Sequence, residues 1–382
     1  MLIERHYDNL EKFFEPKRVL VVYGPRRVGK TTLLSEMLSH TKLKYKLDSG
    51  DNIRTQQSLS SQDFSLIDEY VGDYELIAID EAQHIPNIGM ALKIMIDRYP
   101  DRKIVATGSS SFDLAAHLGE PLTGRKRTIT LYPISQLELL STHANSRLEL
   151  KDRVSDYLVY GSYPEVISAE TPEKKIAILT ELVDSYLFKD VLALESRKGT
   201  RFLIDLVKML ALQMGNEVSF NELATSLQVD SKTIERYLDL LEQTFIIRRL
   251  GSYSGNLRNE IRNKQKYYFL DNGVRNAIIN QYNSLDSRND VGVLWENFIF
   301  TERLKKRSYQ EIYGNSYFWR TYEQQEVDFV EERDGKLEAY EAKWSDKNNV
   351  QAPNLWKTTY PDSKFTVVNR ENYLDFITGT DE

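Results

Sequence analysis

Apolar residues in the first third of the chain come in short runs separated by polar, helix-like stretches. Val19 to Tyr23 is a β-branched run, Leu43 to Leu47 alternates, Leu76 to Ile79 is continuous, and Lys103 to Thr107 is β-branched again. Thr128 to Leu131 is a fifth such run. Runs of this length bounded by turn residues predict strands, and the continuous ones predict strands buried on both faces. Leu33, Leu34, Met37 and Leu38 follow the first run at helical spacing. Leu2, Tyr7, Leu10, Phe13 and Phe14 predict a short amphipathic helix over residues 1–17. Further on, helical spacing covers 172–195 (Ile176, Leu179, Leu182, Val183, Tyr186, Leu187, Val191) and 202–212. Asn221 to Leu227 and Ser231 to Gln243 are two helices across the turn Gln228-Val229-Asp230, with Phe245 to Leu250 as a following strand. That order predicts a helix-turn-helix with a wing. The last third reads as a strand at Tyr267–Asp271, a helix at Val291–Arg307 and strands at 316–320, 326–330 and 337–344. A polar helix near Asn349–Thr358 and a strand at 365–369 close it.

The chemistry sits at the ends of these runs. After Val19–Tyr23 comes Gly24-Pro25-Arg26-Arg27-Val28-Gly29-Lys30-Thr31-Thr32. Glycines at Gly24 and Gly29 let backbone N–H groups point inward, where side chains would block an anion. A helix starting near Lys30 aims its positive end at the same place. Lys30 is expected to reach β- and γ-phosphates, and the Thr31 hydroxyl to ligate Mg²⁺. Leu76 to Ile79 ends in Asp80-Glu81. Asp80 can hold the Mg²⁺ water shell, and Glu81 is placed to polarise an attacking water as general base. Lys103–Thr107 runs into Gly108-Ser109-Ser110-Ser111. Ser109 and its neighbours would touch the γ-phosphate or the water; a serine cap for a helix from Phe112 is the other reading, and the two are compatible. Gly124-Arg125-Lys126-Arg127 offers Arg125 as a charge-stabilising finger, in cis or toward a neighbouring subunit, or as an exposed basic turn.

Composition narrows the class. The 382 residues are 41% hydrophobic and 28% charged, which implies a globular chain of two or three domains. There is no cysteine, so disulfides, zinc–thiolate centres and cysteine nucleophiles are excluded. No apolar run is long enough to span a bilayer and Met1–His6 lacks signal-peptide order, so a cytoplasmic protein without a membrane partner is expected. A net charge of −7 gives no global attraction to DNA or RNA, so such binding would need local patches.

The loop motif, together with Ile79-Asp80-Glu81-Ala82-Gln83, Thr107-Gly108-Ser109-Ser110-Ser111 and Leu122-Thr123-Gly124-Arg125, resembles the prokaryotic AAA-type ATPases, close to the archaeal ATPase and STAND groups, that carry a C-terminal domain of unknown function. The resemblance implies an α/β fold: a P-loop NTPase parallel sheet of the ASCE/AAA type, a helical and winged-helix middle region, and a restriction-endonuclease-like C-terminal domain. It implies domains at 1–150, 151–200 (helical lid or linker), 201–255 (winged helix) and 256–382. ATP is the implied nucleotide, since no Asn-Lys-x-Asp guanine reader is present in the usual place. In this neighbourhood a Gly-Gly-x-Pro element senses the base; here it is Gly161-Ser162-Tyr163-Pro164, so Gly161 and Pro164 are base-sensing or, alternatively, a helix-capping turn. An oligomer is compatible with the resemblance.

Lys232 and Arg236 lie on the outer face of the second helix of the pair, but with Glu235, Asp230 and Glu242 nearby. The weak positive charge favours an adaptor or lid over a DNA reader. Arg258, Arg262, Lys264 and Lys266 form a basic turn, either phosphate-contacting or solvated. Glu296 on a helix, Asp328 on one strand and Glu341-x-Lys343 on the next resemble the PD-(D/E)xK nuclease pattern. Asp328 and Glu341, with Glu296 through water, would hold Mg²⁺, and Lys343, projecting to the same face as Glu341, would activate water. The readings are then an ATPase driving rearrangement of its later domains, an ATP-gated nuclease on DNA or RNA, or a nucleotide switch that docks a protein partner on an inactive nuclease-like fold.

Overall fold

Every residue of Val19–Tyr23 (β1) is buried, as a strand covered on both faces requires. The computed structural model describes residues 3–109, 122–141, 146–184, 200–254, 265–345 and 350–379. They divide into two units, Glu4–Tyr132 and Pro133–Glu382 with Met1–Ile3. The first break in the chain thus falls at Tyr132/Pro133, where the sequence suggested a boundary near 150.

In the first unit, β2 (Tyr45–Ser49), β3 (Leu76–Asp80), β4 (Lys103–Gly108) and β5 (Lys126–Thr130) join β1 in a parallel sheet of order β2-β3-β4-β1-β5. β4 therefore lies between the strands that end in Gly24 and Asp80, and its C-terminal Thr107-Gly108-Ser109 is brought to both. Helix α1 (Lys30–His40) follows β1, and α2 (Ile53–Ser60), α3 (Phe64–Val71) and α4 (Ile88–Arg98) form the crossovers. The amphipathic helix expected over 1–17 is not formed among the described residues of that stretch, where only Leu10–Phe13 makes a 3₁₀ turn. Asn9 accepts the Glu11 N–H with its side chain, a local bond that competes with helix continuation. Tyr7 and Leu10 are nevertheless buried as the pattern requires.

The second unit begins with short helices α5 (Gln136–Ser141), α6 (Arg147–Asp152), α7 (Val154–Tyr160), α8 (Pro164–Ser168) and α9 (Pro172–Leu182). Next come α10 (Thr200–Leu212), the two-residue β6 (Glu217–Val218), α11 (Phe220–Leu227), α12 (Ser231–Gln243) and the hairpin β7 (Ile247–Ser252)/β8 (Gln265–Phe269). After α13 (Asn272–Ile278) come α14 (Val291–Tyr309), β9 (Asn315–Arg320), β10 (Glu326–Arg333), β11 (Lys336–Ala342), α15 (Asn354–Thr359), β12 (Lys364–Val368) and α16 (Tyr373–Thr378). Among the described residues, all these strands form one sheet of order β12-β11-β10-β9-β7-β8-β6. The joint between its halves is a short parallel pairing, Gly251 with Tyr317 and Ser252 with Phe318. The segments expected as separate domains at 201–255 and 256–382 therefore share a sheet. Trp319, Val327, Val330, Ala339 and Trp356 form one of its apolar clusters.

Ser110, Ser111, the helix from Phe112, the part of the 172–195 helix beyond 184, and Arg258, Arg262 and Lys264 lie outside the described residues. Among those described, no helix is long and apolar enough to cross a membrane.

Candidate functional site

Gly24 and Gly29 set the loop between β1 and α1. Gly24 has φ +152°, and a Cβ there would lie 2.1 Å from the Leu131 carbonyl oxygen. Gly29 has φ +97° and stands at the N-cap of α1, where no side chain caps the helix. The first N–H groups of α1 are thus left for an anion. Arg27 also adopts a left-handed backbone, φ 61°, an unfavourable geometry that tightens the turn. Buried Lys30 lies back over the loop, its Nζ donating to the Gly24 and Pro25 carbonyls at 2.9 Å each. Val28 is fully buried. Thr32 occupies the first turn of α1 beside Thr31.

Beneath the loop sits a residue that the sequence did not flag. Arg5 donates through Nη1 to the Val28 carbonyl and through Nη2 to the Tyr132 carbonyl, both at 2.6 Å.

Asp80 is reached from two sides. Thr31 Oγ1 donates to Asp80 Oδ2 at 2.8 Å, and Thr107 Oγ1 donates to Oδ1. The same Thr107 oxygen accepts the Glu81 N–H at 3.1 Å. Glu81 turns out of the strand with φ 49° and ψ 42°. Its Oε2 accepts from Gln83 Nε2, and Gln83 Oε1 in turn accepts the N–H of buried Ser109 at 3.3 Å. His84 Nδ1 pairs with Asp51 Oδ1 at 2.6 Å. Gly50 fits because a Cβ there would lie 2.2 Å from the Glu81 carbonyl oxygen. Lys30, Thr31, Asp80, Glu81 and Ser109 thus converge at the C-terminal ends of β1, β3 and β4. Thr107 and Gln83 are members that motif reading quoted without a role.

Arg125 is elsewhere. It precedes β5 and bonds the Val19 N–H through its carbonyl, at the N-terminal edge of a parallel sheet whose loop lies at the C-terminal edge. Five residues of strand separate the two edges, roughly 16 Å at the strand rise. Its guanidinium pairs with Asp97 at 3.1 Å. Within one chain the finger role is therefore out of reach.

Gly161 and Pro164 lie in the second unit. A Cβ at Gly161, φ +73°, would fall 1.9 Å from Asp271 Oδ1. The Ser162 N–H donates to Asp271 Oδ2 at 2.7 Å, and Pro164 opens α8. Burial pushes the Asp271 carboxyl above its ordinary value, against the Ser162 and Val274 N–H bonds and Lys305.

The C-terminal acids converge too. A bulge between Val327 and Val330 interrupts the β9–β10 register at Asp328. Asp328 Oδ2 accepts the Ala342 N–H at 2.9 Å. Glu296 on α14 and Asp328 line one small cavity of about 10 Å³ with Tyr268, Phe300 and Tyr340, room for a single water. Tyr268 donates to Glu296 at 2.6 Å, and Lys343 pairs with Glu341 at 2.6 Å. Lys266, expected in a basic turn, is instead on β8, 1% exposed, paired with Glu326 and lying 3.4 Å from Glu296. Burial and repulsion from Glu296 and Glu341 hold the Asp328 carboxyl well above the usual range, against Lys266 and Lys343. Glu341 Oε2 is buried without a hydrogen-bond partner. Among the described residues, no group of three or more acids or histidines is arranged to hold a metal ion.

Comparison with known proteins divides the chain three ways. Residues 16–140 match an AAA domain family, residues 151–285 a domain of unknown function (DUF8612), and residues 291–379 a second one (DUF4143). An uncharacterized protein of Mycobacterium tuberculosis is 28% identical over 349 residues, 90% of this chain and 74% of its own. One of Haemophilus influenzae is also 28% identical, over 86% of this chain and 82% of its own. Among solved structures, the Thermotoga maritima RuvB Holliday junction branch migration motor aligns with 61% of this chain and 82% of its own at 20% identity and a TM-score of 0.28. Residues 16–140, most of them in the first unit, are thus similar to AAA domains, and residues 291–379 of the second unit to the DUF4143 family.

Proposed function

We propose that the chain is a Mg²⁺-dependent ATPase whose nucleotide state acts on its C-terminal half. The observation that carries this is the meeting of Lys30, Thr31, Asp80 and Glu81 at one end of β1 and β3. The residues suit a nucleotide: the α1 N-terminus is uncapped, a Cβ at Gly24 would invade the loop, and Lys30 rests on carbonyls it can exchange for phosphate oxygens. Bound Mg²⁺ would neutralise charge between the β- and γ-phosphates. Residues 24–32, from Gly24 to Thr32, would cradle the phosphates, with Arg26 and Arg27 at the rim. Thr31 and Asp80 would hold the metal. Glu81 would orient a water and accept its proton, with Ser109 beside it; the Gln83 bond keeps that carboxylate in place meanwhile. Nucleotide binding and turnover by the wild type, Lys30→Ala and Glu81→Gln test the proposal. Glu81→Gln should bind ATP normally and lose about 10²–10⁴ in turnover, the usual worth of a general base. Lys30→Ala should lose binding. Unchanged turnover in both variants refutes the proposal.

For the C-terminal half, the order α14, β9, β10, β11, α15, β12 supports a PD-(D/E)xK-like fold, and α10, β6, α11, α12 with the β7–β8 hairpin supports a winged helix. Arg248 and Arg249 are paired with Glu242 and Asp239, which favours an adaptor surface over a DNA reader. Lys266 salt-bridged inside the acidic cluster favours a non-cleaving fold that docks a protein partner. Cleavage of DNA or RNA with Mg²⁺ or Mn²⁺, abolished by Lys343→Ala, would overturn that reading in favour of an ATP-gated nuclease.

A further inference from the structure

The phosphate loop is fastened at both ends to the last two residues of its own unit. At its start, Gly24 packs against the Leu131 carbonyl, and Leu131 N–H donates to the Tyr23 carbonyl at 2.7 Å. At its end, the Arg5 fork joins the Val28 carbonyl to the Tyr132 carbonyl. Arg5 is only 9% exposed, so these are bonds from a buried guanidinium, whose planar fork suits two acceptors at once. Tyr132 is where the first unit ends.

On the other side of Pro133, the chain is gripped again by the second unit. Ile134 N–H donates to the Ser162 carbonyl at 2.9 Å, and Lys305 donates to the Ile134 carbonyl and the Ser162 hydroxyl at 3.2 Å each. Lys305 is in turn paired with buried Glu302 at 2.7 Å. Pro133 alone stands between a residue tied to the phosphate loop and a residue tied to the Gly161–Ser162 turn.

We propose that Arg5 is a positioning residue that carries the conformation of the phosphate loop to the exit of the nucleotide-binding unit. When Lys30 leaves the Gly24 and Pro25 carbonyls for phosphate, the loop from Gly24 to Val28 rearranges. Arg5 passes the displacement of the Val28 carbonyl to Tyr132. This rests on the nucleotide-binding reading above, and the test separates the two.

Hydrogen exchange of the peptide spanning residues 129–136 is measured in the full chain, with and without a non-hydrolysable ATP analogue and Mg²⁺, alongside the affinity for the analogue. In the wild type the analogue should change exchange at this peptide. Arg5→Met should still bind the analogue, while the nucleotide-dependent change at 129–136 falls by about tenfold, the scale of one lost charged-donor hydrogen bond. Arg5→Lys keeps the charge but not the fork and should fall between; it also serves should Arg5→Met fail to fold. Analogue binding with a wild-type exchange response in both variants overturns the inference, as does wild-type binding with no response at all. Failure of the wild type to bind the analogue overturns the nucleotide reading instead.

Discussion

Thr31 and Asp80, 49 residues apart in the chain, meet at 2.8 Å across the neighbouring ends of α1 and β3. The hydroxyl donates to one carboxylate oxygen while Thr107 donates to the other. In the proposed metal-loaded site the Thr31 hydroxyl would give up this bond and turn its lone pair to the ion. Thr31→Ala should leave metal-free nucleotide binding intact. It should lower affinity in Mg²⁺ by about tenfold, near the worth of one polar contact. Titration of a fluorescent nucleotide with and without Mg²⁺ checks this; equal losses in both conditions would contradict it.

Arg125 sits at the far edge of the sheet, in an exposed pair with Asp97. Such pairs contribute about 0.2–1 kcal/mol. Arg125→Ala should therefore leave nucleotide affinity, and turnover at high dilution, within about twofold. A fall in turnover that appears only at high protein concentration would show Arg125 acting on a neighbouring copy.

Lys266 has lost nearly all its solvent and stands among Glu296, Glu326 and Asp328. Its removal leaves half-buried carboxylates without their counter-ion. That costs up to about 3 kcal/mol, the lower end for a broken buried pair, because Glu296 and Glu326 keep some solvent. Lys266→Met should lower the thermal midpoint sharply. Adding Glu326→Gln should recover part of the loss, since that deletes one of the stranded charges. A double variant no more stable than the single one would show that the loss is packing and not charge.

Asp290 bridges two buried arginines, Arg275 at 2.6 Å and Arg288 at 2.8 Å. Burial pulls its carboxyl upward, but the Arg288 and Arg275 bonds outweigh this and hold it below the ordinary 3.8. Because the folded value is the lower one, the stabilisation is complete above that ordinary value. It is lost as the pH falls through the depressed one. Urea midpoints measured from pH 6 down to pH 3 should fall in the wild type. Asp290→Asn should be less stable at pH 6 and lose less on acidification.

How much of this was legible in the sequence depended on how far apart the partners lie. The loop from Gly24 to Thr31 and the Asp80-Glu81 pair are contiguous signatures, and the strands beneath them are apolar runs. The placement of β4 between β1 and β3 is a matter of strand order, which the apolar runs themselves do not encode. Arg5 could not be read, because its acceptors are 23 and 127 residues away. Lys266 was misread as part of a basic turn for the same reason: its carboxylate partners arrive from α14 and β10. The short helices α2, α3 and α5–α8 left little mark because they span only one or two turns. Asp271 was invisible as the partner of Gly161, since only the fold brings the α13 N-cap onto that turn.

The two-residue seam between β7 and β9 has a consequence for how such a chain can be cut or recombined. The boundary between the two domains of unknown function falls within residues 286–290, yet backbone bonds run across the seam and Lys266 from one side neutralises carboxylates of the other. A fragment beginning at residue 286 would bare the rim of β9 and strand those acids, inviting self-association. Evolution could shuffle the nucleotide-binding part as a cassette, but the remainder would have to be inherited whole.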